Sequence, residues 1–94
     1  MKTISRRDKL KIYGDLLSVL DKESKTNKIV LTHIQTQINV PFDRLKSYLT
    51  ELEDLGLIQN EPSHKLTRKG RDYLKEYEKI LFFMKRMGLT YRNE

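Results

Sequence analysis

The sequence predicts a mainly α-helical domain closed by one small β-hairpin, and three observations predict it. Apolar residues recur at helical spacing in residues 10–20, 45–55 and 73–87. Gly and Pro punctuate the joints between these stretches, at Pro41, Gly56, Pro62 and Gly88. Short apolar runs flank a single turn signal at residues 61–64, which suits a hairpin of two strands.

The first helix is expected over residues 6–20. Ser5 with Asp8 three residues on forms a capping-box pattern, and Leu10, Tyr13, Leu16, Leu17 and Leu20 make its apolar stripe. Gly14 inside it costs about 1 kcal/mol relative to Ala, so close packing of another backbone is expected there. The polar run 21–28 reads as a loop, residues 29–31 as a short β-branched strand, and Thr32 as the cap of a second helix ending near Ile38. In the run INVP, Asn39 tolerates a left-handed backbone, Val40 is free to be buried, and Pro41 presets φ for a new helix. From Phe42 the stripe Leu45, Tyr48, Leu49, Leu52, Leu55 gives a third helix, ended by Gly56. Residues 57–60 and 65–67 are the hairpin strands, with Pro62 in second place of the turn. Thr67 caps a last helix that runs to Gly88.

That last helix, about 20 residues and so roughly 30 Å long, is longer than a small core needs. Tyr73, Tyr77, Ile80, Met84, Met87 and Tyr91 repeat at spacings of four and three, the rhythm of a coiled-coil seam, and Leu74 and Leu81 widen the stripe. One reading is a helix packed on its own domain. The other is a homodimer interface through Tyr73, Tyr77, Ile80, Leu81, Phe83, Met84 and Met87, because the helix end would otherwise expose Phe82, Phe83 and Met84. The second is preferred, with residues 1–70 as the globular domain, 68–88 as the dimerisation helix and 89–94 as a tail.

The 94 residues carry a net charge of +6 and a pI of about 9.6, which points toward polyanions. The excess is concentrated. Residues 1–11 hold five bases and one acid, and residues 63–71 four bases and no acid, whereas residues 12–62 hold five bases and eight acids. Both basic segments coincide with expected helix starts, where the macrodipole disfavours cations. Absence of Cys excludes disulfides, thiolate metal sites and a thiol nucleophile. His33 and His64 have no metal-ligand spacing, and no nucleophile motif or glycine-rich phosphate loop occurs, so neither enzyme chemistry nor a cofactor, metal or small-molecule ligand is expected. No signal-like or membrane-spanning apolar run is present, and a cytoplasmic, nucleoid-associated location is expected.

Helix, strand, helix, tight turn, helix, hairpin and long helix is the order of a winged helix-turn-helix domain. The runs RLKSYLTELEDLGLIQN and KLTRKGRDYLKEY strengthen that reading. Together they resemble the archaeal family of small winged-helix DNA-binding proteins whose C-terminal helix pairs with its symmetry mate as an antiparallel coiled coil. The resemblance covers residues 6–87 and rests on Tyr48, Leu49, Leu52, Gly56, Leu57 and Ile58, and on Leu66, Thr67, Lys69 and Gly70. It implies that the third helix enters the major groove, that the hairpin lies against the backbone or minor groove, and that the coiled coil spaces two DNA-contacting lobes. Pro41 replaces the Ser or Thr cap common in that family, and the hairpin is short with no glycine at its tip.

With Leu45, Tyr48, Leu49 and Leu52 turned inward, Asp43, Lys46, Ser47 and Thr50 fall on the opposite face of the third helix with Arg44 at its flank. Glu51, Glu53 and Asp54 make its C-terminal half acidic, so its first two turns are the part expected to approach phosphate. Lys65, Arg68, Lys69 and Arg71 surround the start of the last helix, as Arg6, Arg7, Lys9 and Lys11 surround the first, and both are expected to meet a phosphate backbone, with His64 at the hairpin tip. The expected function is a dimeric protein that binds double-stranded DNA through phosphate contacts, as a transcriptional regulator or a chromatin-like architectural factor. The rival is a winged-helix module that docks another protein through the acidic half of the third helix or the Phe82 and Phe83 stripe.

Overall fold

The computed structural model describes residues 2–4, 9–26 and 28–91 of the chain. Its elements run β1 (Lys2–Ile4), α1 (Lys9–Thr26), α2 (Leu31–Ile38), α3 (Phe42–Asp54), α4 (Arg68–Arg86) and β2 (Leu89–Tyr91).

α1 is longer at its C-terminal end than its apolar stripe suggests. Residues 21–25 are polar but contain no Gly or Pro, and they continue the helix with an i,i+4 pair, Lys25 Nζ to Asp21 Oδ2 at 3.3 Å. The expected capping box at Ser5 and Asp8 lies outside the described residues. The expected strand at residues 29–31 does not form: residues 28–30 are irregular and Leu31 already opens α2, with Val30 as an N-cap that makes no side-chain bond. Thr32 is therefore inside the helix rather than its cap.

The turn between α2 and α3 follows from its residues. Asn39 has φ 55°, and its N–H donates to Gln35 O at 2.9 Å, which closes α2. Val40 is buried and Pro41, in an extended conformation, serves as N-cap of α3, its carbonyl accepting from Leu45 N–H at 3.0 Å. α3 ends in a Schellman motif: Gly56, at φ 76°, donates to Glu53 O at 3.0 Å and Leu57 N–H to Leu52 O at 2.9 Å. The side chains of Leu52 and Leu57, which this bond pattern brings together, are both buried.

The hairpin is reduced to one antiparallel bridge, Ile58 to Leu66, supported by Gln59 N–H to Lys65 O at 2.8 Å and Thr67 N–H to Leu57 O at 3.1 Å. Its turn is shifted by one residue from expectation. Ser63 N–H closes on Asn60 O at 3.1 Å, so Pro62, which follows a cis peptide bond, stands third in the turn rather than second.

Two apolar clusters hold these elements. The larger joins Leu16, Leu17 and Leu20 of α1, Ile34 of α2, Leu45, Leu49 and Leu52 of α3, and Leu57, Ile58 and Leu66 of the hairpin. The smaller is built on Tyr77 and Met84 of α4, against which Leu10 of α1 and Leu89 of β2 pack. β1 and β2 pair in parallel, with Lys2 opposite Leu89 and Ile4 opposite Tyr91. The sequence pattern predicts neither strand and places Leu89–Tyr91 in a tail. Their effect is local: they bring both ends of the described chain to the C-terminal end of α4.

Two glycines permit the close approaches in this arrangement. The ring of Tyr77 lies on Gly14, where a Cβ would overlap it, so the neighbour is an aromatic side chain rather than the expected backbone. The Tyr77 hydroxyl donates to Asp15 Oδ1 at 3.1 Å on the next residue. Gly70 lies against the carbonyl of Leu57, which lets the start of α4 close on the hairpin.

Candidate nucleic-acid interface

α3 presents the polar face that its sequence periodicity requires. Asp43, Arg44, Lys46, Ser47 and Thr50 are exposed, while Leu45, Leu49 and Leu52 are buried on the other side. Thr50 Oγ1 donates to Lys46 O at 3.1 Å, and Lys46 Nζ lies 5.9 Å from the centroid of the Phe42 ring. Asp43, Arg44 and Ser47 make no side-chain bond among the described residues and are open to solvent.

The flanks of α3 are set by two acids. Glu51 and Glu53 are two residues apart, which is about 200° around a helix, and each is claimed by a different neighbour. Glu51 Oε1 accepts from Lys9 Nζ at 2.5 Å and from the hydroxyl of Tyr13, both on α1. Lys9 also lies over the rings of Tyr13 and Tyr48, at 5.6 and 5.9 Å from their centroids. Hydrogen bonding from Lys9, then from Tyr13, lowers the pKa of Glu51 below the ordinary carboxylate value, and the same bond to Glu51 raises that of Lys9. The Tyr13 hydroxyl is pushed up chiefly by burial and next by its bond to Glu51. On the other flank Glu53 Oε2 faces His64 Nε2 at 3.6 Å. In the acidic half of α3, Glu51 is therefore matched from within the chain, Glu53 faces the His64 ring without a hydrogen bond, and Asp54 is exposed without a partner among the described residues.

His64 departs from expectation. It is not an exposed wing-tip residue: it is 5% exposed, with φ 54°, and its ring turns inward toward Glu53, so it offers no contact to a duplex. Its Nε2 has no hydrogen-bond partner. The left-handed backbone at His64 is what directs a side chain from the end of a tight turn back under the hairpin, and no local sequence signal marks it.

The cations at the start of α4 divide into three groups. Thr67 Oγ1 caps the helix by accepting from Gly70 N–H at 3.1 Å and itself donates to Gly56 O at 2.6 Å. Lys69 Nζ donates to Leu55 O at 2.7 Å, and Arg71 Nη1 to Leu66 O at 3.1 Å, so both serve chain ends of neighbouring elements. Arg68 is exposed and makes no side-chain hydrogen bond or ion pair among the described residues. Lys65 lies apart from these and lines the same recess as Lys28. Of the basic residues expected at the start of α1, Arg6 and Arg7 lie outside the described residues, Lys9 is held by Glu51, and Lys11 Nζ pairs with Asp15 Oδ2 at 2.5 Å. Both described helix starts thus reach the C-terminal part of α3, at Glu51 and Leu55.

The expected seam on α4 is split by the fold. Tyr77 and Met84 are 3% and 6% exposed inside the chain's own second cluster, Tyr73 and Ile80 are half-buried against it, and the Tyr73 hydroxyl donates to Leu10 O at 3.0 Å. Tyr77 and Met84 are therefore interior residues, because α1, through Leu10 and Gly14, and Leu89 of β2 supply cover that the apolar spacing alone does not disclose. Leu81, Phe82, Phe83 and Met87 remain exposed, Phe82 at 64% and Met87 at 54%. The Arg86 guanidinium lies 5.8 Å from the Phe82 ring centroid.

Among the described residues no group of His, Asp and Glu could hold a metal ion, and no helix is long and apolar enough to cross a membrane. Comparison with curated proteins and with solved structures found no match. Comparison with protein families matched residues 6–91, from before α1 to the end of β2, to the winged helix-turn-helix family. That match spans every helix and the hairpin described above, and the chain belongs to the winged helix-turn-helix family.

Proposed function

We propose that this chain binds double-stranded DNA, laying the exposed N-terminal half of α3 in the major groove and reaching the phosphate backbone with Arg44, Lys46 and Arg68. Family membership supports a DNA-binding regulator. The observation that carries the reading is the pairing of Lys9 with Glu51 and of Lys69 with Leu55 O at the far end of α3. These contacts offset the negative charge and the negative dipole end that would repel a duplex, and leave the open face between the two flanks to Asp43, Arg44, Lys46, Ser47 and Thr50. That face has one Arg and no Asn, so phosphate contacts dominate over base reading. A transcriptional regulator and an architectural factor, acting in the cytoplasm at the nucleoid, both fit such binding, and neither requires catalysis.

The protein acts as a homodimer in this reading. Phe83 and Met87 lie one turn apart on α4, continuous with half-buried Ile80, and a second copy would cover them. The same exposed side chains favour the rival reading, docking of another protein. Fluorescence anisotropy with a labelled duplex decides between them. DNA binding predicts log Kd rising with log salt at a slope of about 0.9 per phosphate neutralised. Absence of affinity at low salt, together with a stoichiometric partner that survives nuclease treatment, would establish docking instead.

A further inference from the structure

A recess of about 680 Å³ lies between the end of α1 and the hairpin, lined by Ser24, Lys28, Ile29, Pro62, Ser63 and Lys65. No residue of α3 lines it among the described residues: His64 turns to Glu53 of α3, while its neighbours Ser63 and Lys65 line the recess. It is thus separate from the exposed face of α3. Two features decide what it would hold. Lys28 and Lys65 line it from two different segments, and among the described residues neither ammonium has a partner and no acid lines the wall. Two lysines without an acidic partner on one recess favour an anion there, because each ammonium is a compact charge with three rotatable donors on a flexible stem. The hydroxyls add little, since Ser24 Oγ already donates to Asp21 O at 2.8 Å and Ser63 Oγ to Gln59 Oε1 at 2.6 Å.

The second feature is apolar. Ile29 and the ring of Pro62 form part of the wall, and the volume falls within the range of small-ligand pockets, roughly 300–1,000 Å³, rather than that of a single ion. We propose that this recess binds a small organic anion, with a phosphate or carboxylate between Lys28 and Lys65 and an apolar or aromatic portion against Ile29 and Pro62. Such a ligand bridges the segment after α1 to the hairpin turn. The proposal stands apart from the DNA reading, since it uses neither α3 nor Arg68.

The test is an amide chemical-shift titration of the full chain with phenyl phosphate, and in parallel with inorganic phosphate. Saturable shifts centred on Lys28, Ile29, Ser63 and Lys65 are expected, with inorganic phosphate about tenfold weaker, the factor that about 1.4 kcal/mol of ring burial supplies. The Lys28→Glu, Lys65→Glu double variant, altered only at exposed side chains, should keep the remaining spectrum and lose these shifts. Shifts that never saturate, or that spread equally to Lys46 and Arg68, would mean unspecific charge attraction and overturn the proposal. A short duplex that displaces phenyl phosphate from the same amides would overturn it too, by making the recess part of a DNA path.

Discussion

The ammonium of Lys69, in the first turn of α4, donates to the carbonyl of Leu55, the C-cap of α3, at 2.7 Å. A cation on the unfavourable end of one helix is thereby placed at the favourable end of another. Replacing Lys69 with Met is expected to lower the unfolding free energy by about 0.5–1 kcal/mol, measured by urea denaturation. Arg68→Met, which removes no internal contact, is expected to stay within about 0.5 kcal/mol of the parent. Equal losses from the two would show that Lys69 is not anchored.

On DNA the order of effects reverses. Arg68→Glu should weaken binding to unrelated duplexes by the same factor and reduce the salt slope by about 0.9 for each phosphate contact removed. An effect confined to one duplex sequence would instead assign Arg68 to base reading.

The Glu51 network links stability to pH with a defined sign. Bonds from Lys9 and Tyr13 depress the folded pKa of Glu51 below its ordinary 4.5, so the stabilisation is fully present above that pH. It is lost as pH falls through the depressed value. Thermal unfolding of the parent and of Glu51→Gln should therefore differ at neutral pH and converge under acid. Curves that stay parallel from neutral to low pH would place Glu51 outside the linkage.

Steric tolerance at the two close-packed glycines should differ. Gly70→Ala pushes a methyl into the Leu57 carbonyl, a backbone group that cannot swing aside, and is expected to cost about 3 kcal/mol or somewhat more. Gly14→Ala meets the Tyr77 ring, a side chain that can tilt if its bond to Asp15 yields, and about 1–3 kcal/mol is expected. Thermal melts of the two variants check the order.

The proposed dimerisation can be separated from folding along α4. Phe83→Lys with Met87→Lys changes only exposed residues and should yield a folded monomer by light scattering and circular dichroism. Met84→Lys puts a charge into the second apolar cluster and should unfold the chain's C-terminal half. A parent protein that is already monomeric would remove the homodimer from the proposed function.

Much of this molecule is legible in its sequence. The stripes 16, 17, 20 and 45, 49, 52 became the core because an amphipathic helix has one way to hide them, and Asn39, Gly56 and Thr67 ended or began helices through their own local chemistry. The exposed face of α3 follows from the same periodicity. What local pattern could not supply were the relations between distant segments. Parallel pairing of β1 with β2 across the chain, the inward turn of His64, and the pairing of Lys9 with Glu51 and Lys69 with Leu55 each join residues that carry no mark of one another. Local pattern suffices for where the helices form and which faces they bury, because both depend on spacing within a turn or two. Which cations remain free and which apolar residues of α4 stay exposed depends on the assembled fold, because charge and surface are cancelled by whatever neighbour the fold delivers.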